Sequence, residues 1–333
     1  MVALSVLDQS FTSDVASAGD ALQHTIKMAQ HCESLGYRRF WVSEHHAFKG
    51  LAGSAPEILM AALGAQTESI RLGSGGVMLP HYSAYKVAET FSLLANLYPE
   101  RIDLGIGRAP GADMSTAVAL APNGQPDFQK FPEQVAQLLD YLDNPNAKPL
   151  VSPAPPEDFS VWMLGSSSDS ASFAAHYGLP YNLGLFINPE ATPAYVKRYR
   201  ERFRASRNLQ HPYTMITCAV FCADTEEEAK LLQHTFDVNF FLFVTGQSAL
   251  YSPDGSMLNP EQASAVPVSA ALEGFAAQRN KTRAVGTPEQ VVAKLTQLVD
   301  DFQADELMLV SNSFFFESRK RCFELLADAM FAS

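Results

Sequence analysis

Short apolar runs and helical stripes alternate along this chain from one end to the other. Several of the runs are continuous rather than alternating in hydrophobicity, which is typical of parallel strands that are covered on both faces. The runs that predict strands are Ala3–Leu7, Arg39–Ser43, Ile70–Gly75, Ile102–Gly107, Val161–Leu164, Tyr181–Leu185, Thr214–Cys222 and Glu306–Val310.

Amphipathic helices are predicted between these strands. In the first of them, Leu22, Ile26, Ala29 and Cys32 recur at the spacing of one helix face. Eight strands, each followed by a helix, predict an α/β fold of the (β/α)8 TIM-barrel type. An open, doubly wound sheet has the same alternation and is the alternative. Because α/β barrels commonly reach this length as one unit, we expect a single domain over residues 1–333.

Two long connections interrupt the alternation. Gly111–Gln129 follows the fourth predicted strand, and Gly246–Arg283 follows the seventh. The second is rich in Ser, Ala, Gly and Pro, and we expect it to be an irregular loop. Because the loops after the strands form the active site of a TIM barrel, we interpret this second connection as a lid.

Composition narrows the range of functions. The chain carries a formal net charge of −12 and no basic tract, so we expect neither a nucleic acid nor an anionic membrane as partner. No apolar run approaches the ~20 residues that span a bilayer. The first residues lack the features of a signal peptide, and the four cysteines are scattered, so we expect a cytoplasmic protein with buried thiols.

The end of the second predicted strand carries Glu44, His45 and His46. Histidines at the catalytic end of a barrel serve as general bases, as hydrogen-bonding groups or as metal ligands. A barrel metal site needs further ligands on later strands, and the remaining histidines do not supply that pattern. We therefore expect no metal here, and the residues by themselves are consistent either with acid–base chemistry or with a structural role.

Two further strand ends carry features that suit a ligand. Gly75 and Gly76 follow the third strand, where glycine permits close approach of a flat ligand or a simple bend of the barrel wall. Arg108 follows the fourth strand, and its guanidinium suits a phosphate. An ion pair of Arg108 with Glu100 or Asp103 is the structural alternative.

The fifth strand runs into a serine-rich turn that opens a helix. Ser166, Ser167, Ser168 and Ser170 combine hydroxyl donors with the free N–H groups and positive end of that helix, which together form an anion site. One serine is enough to cap a helix, so the run favours phosphate binding over capping alone. A phosphate site, a glycine-lined face and a histidine pair together predict a phosphorylated, planar cofactor.

These stretches resemble, in order, segments of the bacterial-luciferase-like flavin monooxygenases, in the branch similar to the luciferase α subunit, an alkanal monooxygenase. The resemblance covers nearly the whole chain. The matching segments are Trp41–His46, Ile70–Pro80, Glu100–Arg108, Gly178–Pro180 and Val285–Glu289.

The resemblance implies a TIM barrel that binds FMN, reduced by a separate flavin reductase, and uses molecular oxygen on a small organic, carbonyl-type substrate. It implies a homodimer built on the early helices. His45 matches the family's catalytic histidine, with His46 beside it and Glu44 as the group that orients it.

The resemblance also implies residues that hold the cofactor. Arg108, Ser166, Ser167 and Ser170 match phosphate-binding positions, and Gly75-Gly76 matches a cis peptide under the flavin ring.

Two departures and two alternatives accompany this resemblance. The luciferase subunit has a glutamate where Ser166 stands. Gly107 stands where luciferase has a reactive cysteine, so we do not expect light emission. Relatives in this superfamily also use the deazaflavin F420 for hydride transfer, and its long acidic tail would require a basic groove. Other relatives bind flavin without turnover, and the presence of His45 argues against that alternative.

Overall fold

The structure is a computed structural model that describes residues 2–15, 17–108, 113–121, 124–253 and 255–331. Its strands are β1 (Ala3–Asp8), β2 (Arg39–Val42), β3 (Arg71–Ser74), β4 (Val77–Met78), β5 (Ile102–Gly107), β6 (Ser160–Gly165), β7 (Tyr181–Gly184), β8 (Thr214–Cys222), β9 (Ala284–Gly286) and β10 (Glu306–Val310).

The strands form a closed parallel barrel in the order β1-β2-β3-β5-β6-β7-β8-β10. Closure comes from β10, which pairs in parallel with β1 on one side and β8 on the other. The predicted (β/α)8 barrel is therefore confirmed, and the open sheet is excluded, since an open sheet leaves two edges unpaired.

Each of the eight predicted strands is present, with its ends within one residue of the expected positions. The short strands β4 and β9 were not predicted. They add to the C-terminal ends of β5 and β8, respectively. Two or three residues are too few to produce a recognisable hydrophobic pattern, so only the tertiary pairing reveals them.

The described helices include one after each strand of the barrel, and their apolar faces pack against its outer surface. They are α1 (Ala18–Ser34), α2 (Pro56–Gly64), α3 (Ala84–Leu97), α4 (Met114–Leu120), α5 (Phe131–Asp143), α6 (Ser168–Tyr177), α7 (Pro193–Arg202), α8 (Glu226–Val244), α9 (Ser248–Tyr251), α10 (Pro260–Ser264), α11 (Ala270–Arg279), α12 (Pro288–Phe302) and α13 (Phe316–Phe331).

The stripe predicted for the first helix is the buried face of α1. Ala29 and Cys32 are fully buried, and Leu22 and Ile26 pack against the core with part of their surface exposed. All four cysteines are buried and unpaired, as expected. In the described part of the chain, no helix is both long and apolar enough to cross a bilayer.

The connection after the fourth barrel strand, Gly111–Gln129, contains α4 and ends at a 3-10 turn over Phe128–Lys130. Asp113 caps α4, because its side chain accepts the N–H of Thr116 at 2.8 Å. Residues 109–112 and 122–123 lie outside the described residues, so the predicted connection is described only in part.

The connection after the seventh barrel strand, Gly246–Arg283, is not irregular as expected. It contains the three short helices α9, α10 and α11, with residue 254 outside the described residues. Two of them begin at side-chain caps, Asn259 and Ser269. Leu258, Ala263 and Leu272 then pack on the long helix α8, so burial against a neighbouring helix stabilises segments whose own sequence favours loops.

A network of buried charges fills the barrel between the N-terminal halves of its strands. Arg39 on β2 donates from Nε to Glu306 on β10 at 2.9 Å and from Nη1 to Asp103 on β5 at 2.7 Å. Arg71 on β3 donates from Nη2 to Asp103 at 2.7 Å. Burial by itself would raise the pKa of Asp103, but Arg39 and Arg71 outweigh it and hold that pKa below its usual range.

Asp103→Asn tests this network. The substitution removes the buried negative charge that compensates Arg39 and Arg71, and we expect it to lower the free energy of unfolding by ~3–5 kcal/mol. The matched control is Asp224→Asn, which removes an exposed carboxylate held by Arg321 at 2.6 Å and should leave that free energy nearly unchanged. Urea unfolding of the three proteins measures both effects. Equal stability of the two variants would contradict the structural role of the network.

Candidate active site

The residues singled out in the sequence lie at one end of the barrel. Glu44–His46 follow β2, Gly75 and Gly76 follow β3, Arg108 follows β5, and Ser166–Ser170 follow β6. These four strands are consecutive neighbours in the barrel. Since all the strands are parallel, their C-terminal ends meet on one rim, which is the functional end of this fold.

His45 is half-buried on this rim. Its Nδ1 lies 3.1 Å from the hydroxyl of Ser43, and its backbone N–H donates to Gly53 at 2.9 Å. Burial lowers the pKa of His45 to about 4; the charge of His46 adds to this effect, and the charge of Glu44 opposes it. The imidazole is therefore neutral at neutral pH and can accept a proton.

Glu44 is fully buried, and its carboxylate makes hydrogen bonds to neighbours other than His45. One carboxylate oxygen accepts hydrogen bonds from His46 Nε2 and the Tyr82 hydroxyl, both at 2.8 Å, and the other accepts the Met78 N–H at 2.9 Å. Successive residues of an extended segment point to opposite sides, so Glu44 meets His46 while His45 meets Ser43.

Gly75 and Gly76 are joined by a cis peptide bond, as the resemblance implies. A Cβ on Gly75 would lie 2.6 Å from the Leu7 side chain. A Cβ on Gly76 would lie 2.4 Å from the Leu164 side chain and 2.8 Å from the Gly105 carbonyl oxygen. Packing by itself therefore requires glycine at Gly76, whose Cβ would meet backbone, whereas at Gly75 the Leu7 side chain would have to shift. The two glycines form a stretch of backbone without side chains, with Gly75 partly exposed and Gly76 buried.

Arg108 does not pair with Glu100 or Asp103, the partners considered in the sequence. Asp103 is buried with Arg39 and Arg71, whereas Arg108 Nη2 lies 3.5 Å from Asp169 in the first turn of α6. Both side chains of this pair are substantially exposed, 45% for Arg108 and 62% for Asp169, so the guanidinium is accessible to a ligand. The pair brings the end of β5 to the start of α6.

The serine turn divides into a scaffold and an accessible part. The buried hydroxyl of Ser170 donates to the Ser167 carbonyl at 2.7 Å and lies 3.1 Å from the hydroxyl of Tyr181. Ser166, Ser167 and Ser168 are partly exposed at the N-terminus of α6, and the Ser166 carbonyl accepts the side-chain amide of Asn188 at 2.8 Å. Ser170 thus shapes the turn, while the other three residues are accessible to an anion.

This arrangement fits a ligand with an anionic group and a flat ring. The helix N-terminus, the serine turn and the half-exposed Arg108 could hold the anion, and the bare Gly75-Gly76 backbone could contact the ring. Across the residues that the structure describes, no group of three or more His, Cys, Asp or Glu side chains is arranged to hold a metal ion.

Sequence reasoning did not predict three contacts that support this rim, those made by Ser43, Tyr82 and Asn188. Tyr82 meets Glu44 across 38 positions of sequence, and Asn188 meets Ser166 across 22. Neither contact has a local sequence signal. Ser43 could have been found, because it lies two residues before His45 in an extended segment and therefore on the same side.

Comparison with known proteins agrees with this geometry. Residues 2–304 match the family model described as luciferase-like monooxygenase. The chain is 42% identical to the uncharacterized protein YwcH of Bacillus subtilis, over 99% of both chains. It is 36% identical to an N-acetyl-S-alkylcysteine monooxygenase of the same organism, over 100% of this chain and 99% of that one. The crystal structure of apo-MsnO8 superposes with a TM-score of 0.91 at 36% identity, covering 100% of this chain and 99% of the other.

More distant structures share the fold alone. The oxygenating constituent of 3,6-diketocamphane monooxygenase from Pseudomonas putida, in complex with FMN, is 19% identical with a TM-score of 0.68 and covers 99% and 98% of the two chains. An F420-dependent secondary alcohol dehydrogenase is 14% identical with a TM-score of 0.66 and covers 98% of each chain.

The neutral state of His45 gives a pH-dependent prediction. The pKa of about 4 in the folded protein lies below the ordinary value of 6.5, so the unfolded chain binds more protons between these two pH values. Wild type should therefore lose stability relative to His45→Asn as the pH falls from about 6.5 to about 4. Urea unfolding across this range measures the difference, with His211→Asn as the exposed control. Parallel pH profiles for wild type and His45→Asn would contradict the lowered pKa.

Proposed function

The chain belongs to the family of luciferase-like monooxygenases, and on that premise we propose that it is an FMN-dependent monooxygenase. It uses reduced FMN and molecular oxygen to oxidise a small organic substrate. The observation that carries the proposal is the neutral, half-buried His45 on the same rim as an accessible guanidinium and a serine-rich helix N-terminus.

In this proposal the cofactor binds at the part of the rim formed by the ends of β3, β5 and β6. When bound, reduced FMN supplies the electrons with which oxygen is activated, and the protein supplies position and protons. Arg108 and the N–H groups and hydroxyls of Ser166–Ser168 bind the phosphate. The partly exposed backbone of Gly75, next to the buried Gly76, would contact the ring.

His45 is the residue that moves a proton. Its Nδ1 is engaged with Ser43, which leaves Nε2 to accept a proton from, or return it to, the reacting groups. Burial keeps this nitrogen unprotonated at neutral pH. Glu44 acts indirectly, because it fixes His46 and Tyr82 beside the site.

The connection 246–283 excludes water from the bound reactants. It continues from α8, where the Phe243 ring contacts the Phe48 ring at 4.5 Å between centroids. Phe48 belongs to the loop that carries His45 and His46. Closure of this connection therefore acts on the loop that holds the proton-transfer group.

Two substrate classes are compatible with this proposal. A carbonyl-type substrate follows from the resemblance to alkanal monooxygenase. A thioether is the second candidate, because the relative named N-acetyl-S-alkylcysteine monooxygenase aligns over the whole chain. In place of FMN, the cofactor F420 would require a basic groove for its acidic tail, and the net charge of −12 argues against one.

The remaining partners follow from the same proposal. A separate flavin reductase supplies the reduced cofactor. A homodimer forms through α2 and α3, which expose Ile58, Leu93 and Leu97 at 71%, 51% and 57% of their surfaces. Apolar side chains gathered on two neighbouring helices are suited to a partner subunit.

Anaerobic titration with reduced FMN, followed by mixing with oxygen in a stopped-flow spectrometer, tests the proposed function. We expect reduced FMN to bind more tightly than oxidised FMN, and the bound flavin to reoxidise more slowly than free flavin. His45→Ala should bind the cofactor but lose the slow reoxidation. Binding of F420 without binding of either FMN form would overturn the cofactor, and fast reoxidation in wild type would indicate a mere flavin binder.

Arg108→Met tests the phosphate site. We expect FMN binding to weaken by about tenfold to a hundredfold, because a charge-assisted contact is lost. Riboflavin has no phosphate, so its binding should be unchanged. Asp169→Asn, which frees Arg108 from its ion pair at 3.5 Å, should tighten FMN binding and serves as the opposite control. Fluorescence titration measures all three proteins, and equal losses for FMN and riboflavin would remove Arg108 from the phosphate site.

A further inference from the structure

Arg279, at the end of α11, forms no ion pair with an acidic side chain of the described residues. Its Nη2 donates to the Phe186 carbonyl at 2.7 Å, and its Nε is buried without a hydrogen bond. Within the described ranges, no carboxylate lies within 4 Å of this guanidinium. Arg279 is half-buried, and a buried N–H donor such as its Nε is costly to leave without an acceptor.

The nearest charged groups do not neutralise Arg279. Arg283 and Asp237 form a bidentate pair with both contacts at 2.6 Å, and each is almost fully buried. The pair is therefore neutral as a unit, and the charge of Arg279 remains. Burial, followed by the Arg283 cation, lowers the pKa of Arg279, while Asp237 opposes this. An arginine stays protonated nonetheless.

Three phenyl rings fix the orientation of Arg279. Its guanidinium carbon lies 4.8 Å from the ring centre of Phe240, 5.5 Å from that of Phe275 and 5.9 Å from that of Phe236. Such rings stabilise the cation and restrict its plane, but they accept no conventional hydrogen bond. The guanidinium of Arg279 is thus fixed in an orientation in which a planar anion could accept its N–H groups.

Arg279 lines a narrow cleft on the functional rim. The opposite walls include Phe186, which follows β7, and Ala219, near the end of β8. Asn188, two residues beyond Phe186, donates to Ser166 in the serine turn at 2.8 Å, so the cleft adjoins the proposed cofactor site. The cleft is too narrow for a water molecule, so binding of a ligand there requires the partly exposed Phe186 side chain to move.

We propose that Arg279 binds the carboxylate of the organic substrate, so that this protein acts on small carboxylic acids with an apolar body. Leu185, Phe186, Pro189 and Ala219 provide the apolar walls, and the guanidinium provides the charged end. The role of the bound acid as a substrate rests on the proposed function, but its binding to Arg279 does not require flavin.

Calorimetric titration with benzoate, and with benzamide as its uncharged counterpart, tests this assignment on the full chain. Wild type should bind benzoate at least about tenfold more tightly than benzamide, because only benzoate neutralises the cation. Arg279→Met keeps the aliphatic packing and should lose that preference. Arg279→Lys keeps the charge without the planar fork, and its preference should be intermediate. Arg202→Met, which removes an exposed guanidinium at the end of α7 outside both anion positions, is the matched control and should bind benzoate as wild type does.

Two outcomes would overturn the assignment. The first is failure of wild type to prefer benzoate, or an equal preference in Arg279→Met. The second is a loss of FMN but not riboflavin binding in Arg279→Met, which would make the cofactor phosphate the anion of this cleft. Failure of the proposed function is distinct, because wild type would then neither bind reduced FMN nor slow its reoxidation, while benzoate binding would be unaffected.

Discussion

The ion-pair network centred on Arg39 links strands of the barrel and fixes their positions relative to one another. Arg39 on β2 reaches Asp103 on β5 and Glu306 on β10, and Arg71 on β3 shares Asp103. One buried guanidinium therefore connects strands on both sides of the closure between β1 and β10. Because buried charges tolerate little displacement from their partners, these strands keep a fixed register. The same strands carry the candidate catalytic and glycine segments at their other ends.

On the rim, the carboxylate of Glu44 has a structural role, whereas the neutral imidazole of His45 is available for proton transfer. The carboxylate oxygens of Glu44 accept hydrogen bonds from His46, Tyr82 and a backbone N–H. His45 faces the other side, where its Nδ1 lies beside the Ser43 hydroxyl, and burial lowers its pKa more than the charge of Glu44 raises it. Had Glu44 reached His45, the carboxylate would have raised that pKa and favoured the imidazolium. Because successive side chains of an extended segment point to opposite sides, the structural Glu44 is separated from the proton acceptor His45, which is the next residue.

Two arginines lie on the rim of this acidic chain and are not neutralised by a buried carboxylate. Arg108 adjoins the serine turn, and Arg279 lies at the end of the connection that follows α8. Asp169 partly satisfies Arg108, whereas phenyl rings surround Arg279. Asn188 joins the two regions through its bond to Ser166. Two separate anion-binding positions on one rim suit a phosphorylated cofactor beside an acidic substrate, as proposed above.

The sequence by itself determined the alternation of strands and helices, the strand positions and the set of residues at the strand ends. Those signals are local: an apolar run or a helical stripe is complete within about ten residues. Only the tertiary structure decided that β10 closes on β8, that β4 and β9 exist and that the connection 246–283 forms helices on α8. It also decided the partners of Glu44 and Arg108. These outcomes depend on groups far apart in sequence, and a single sequence carries no local record of which distant side chain will neutralise a charge or bury a short segment.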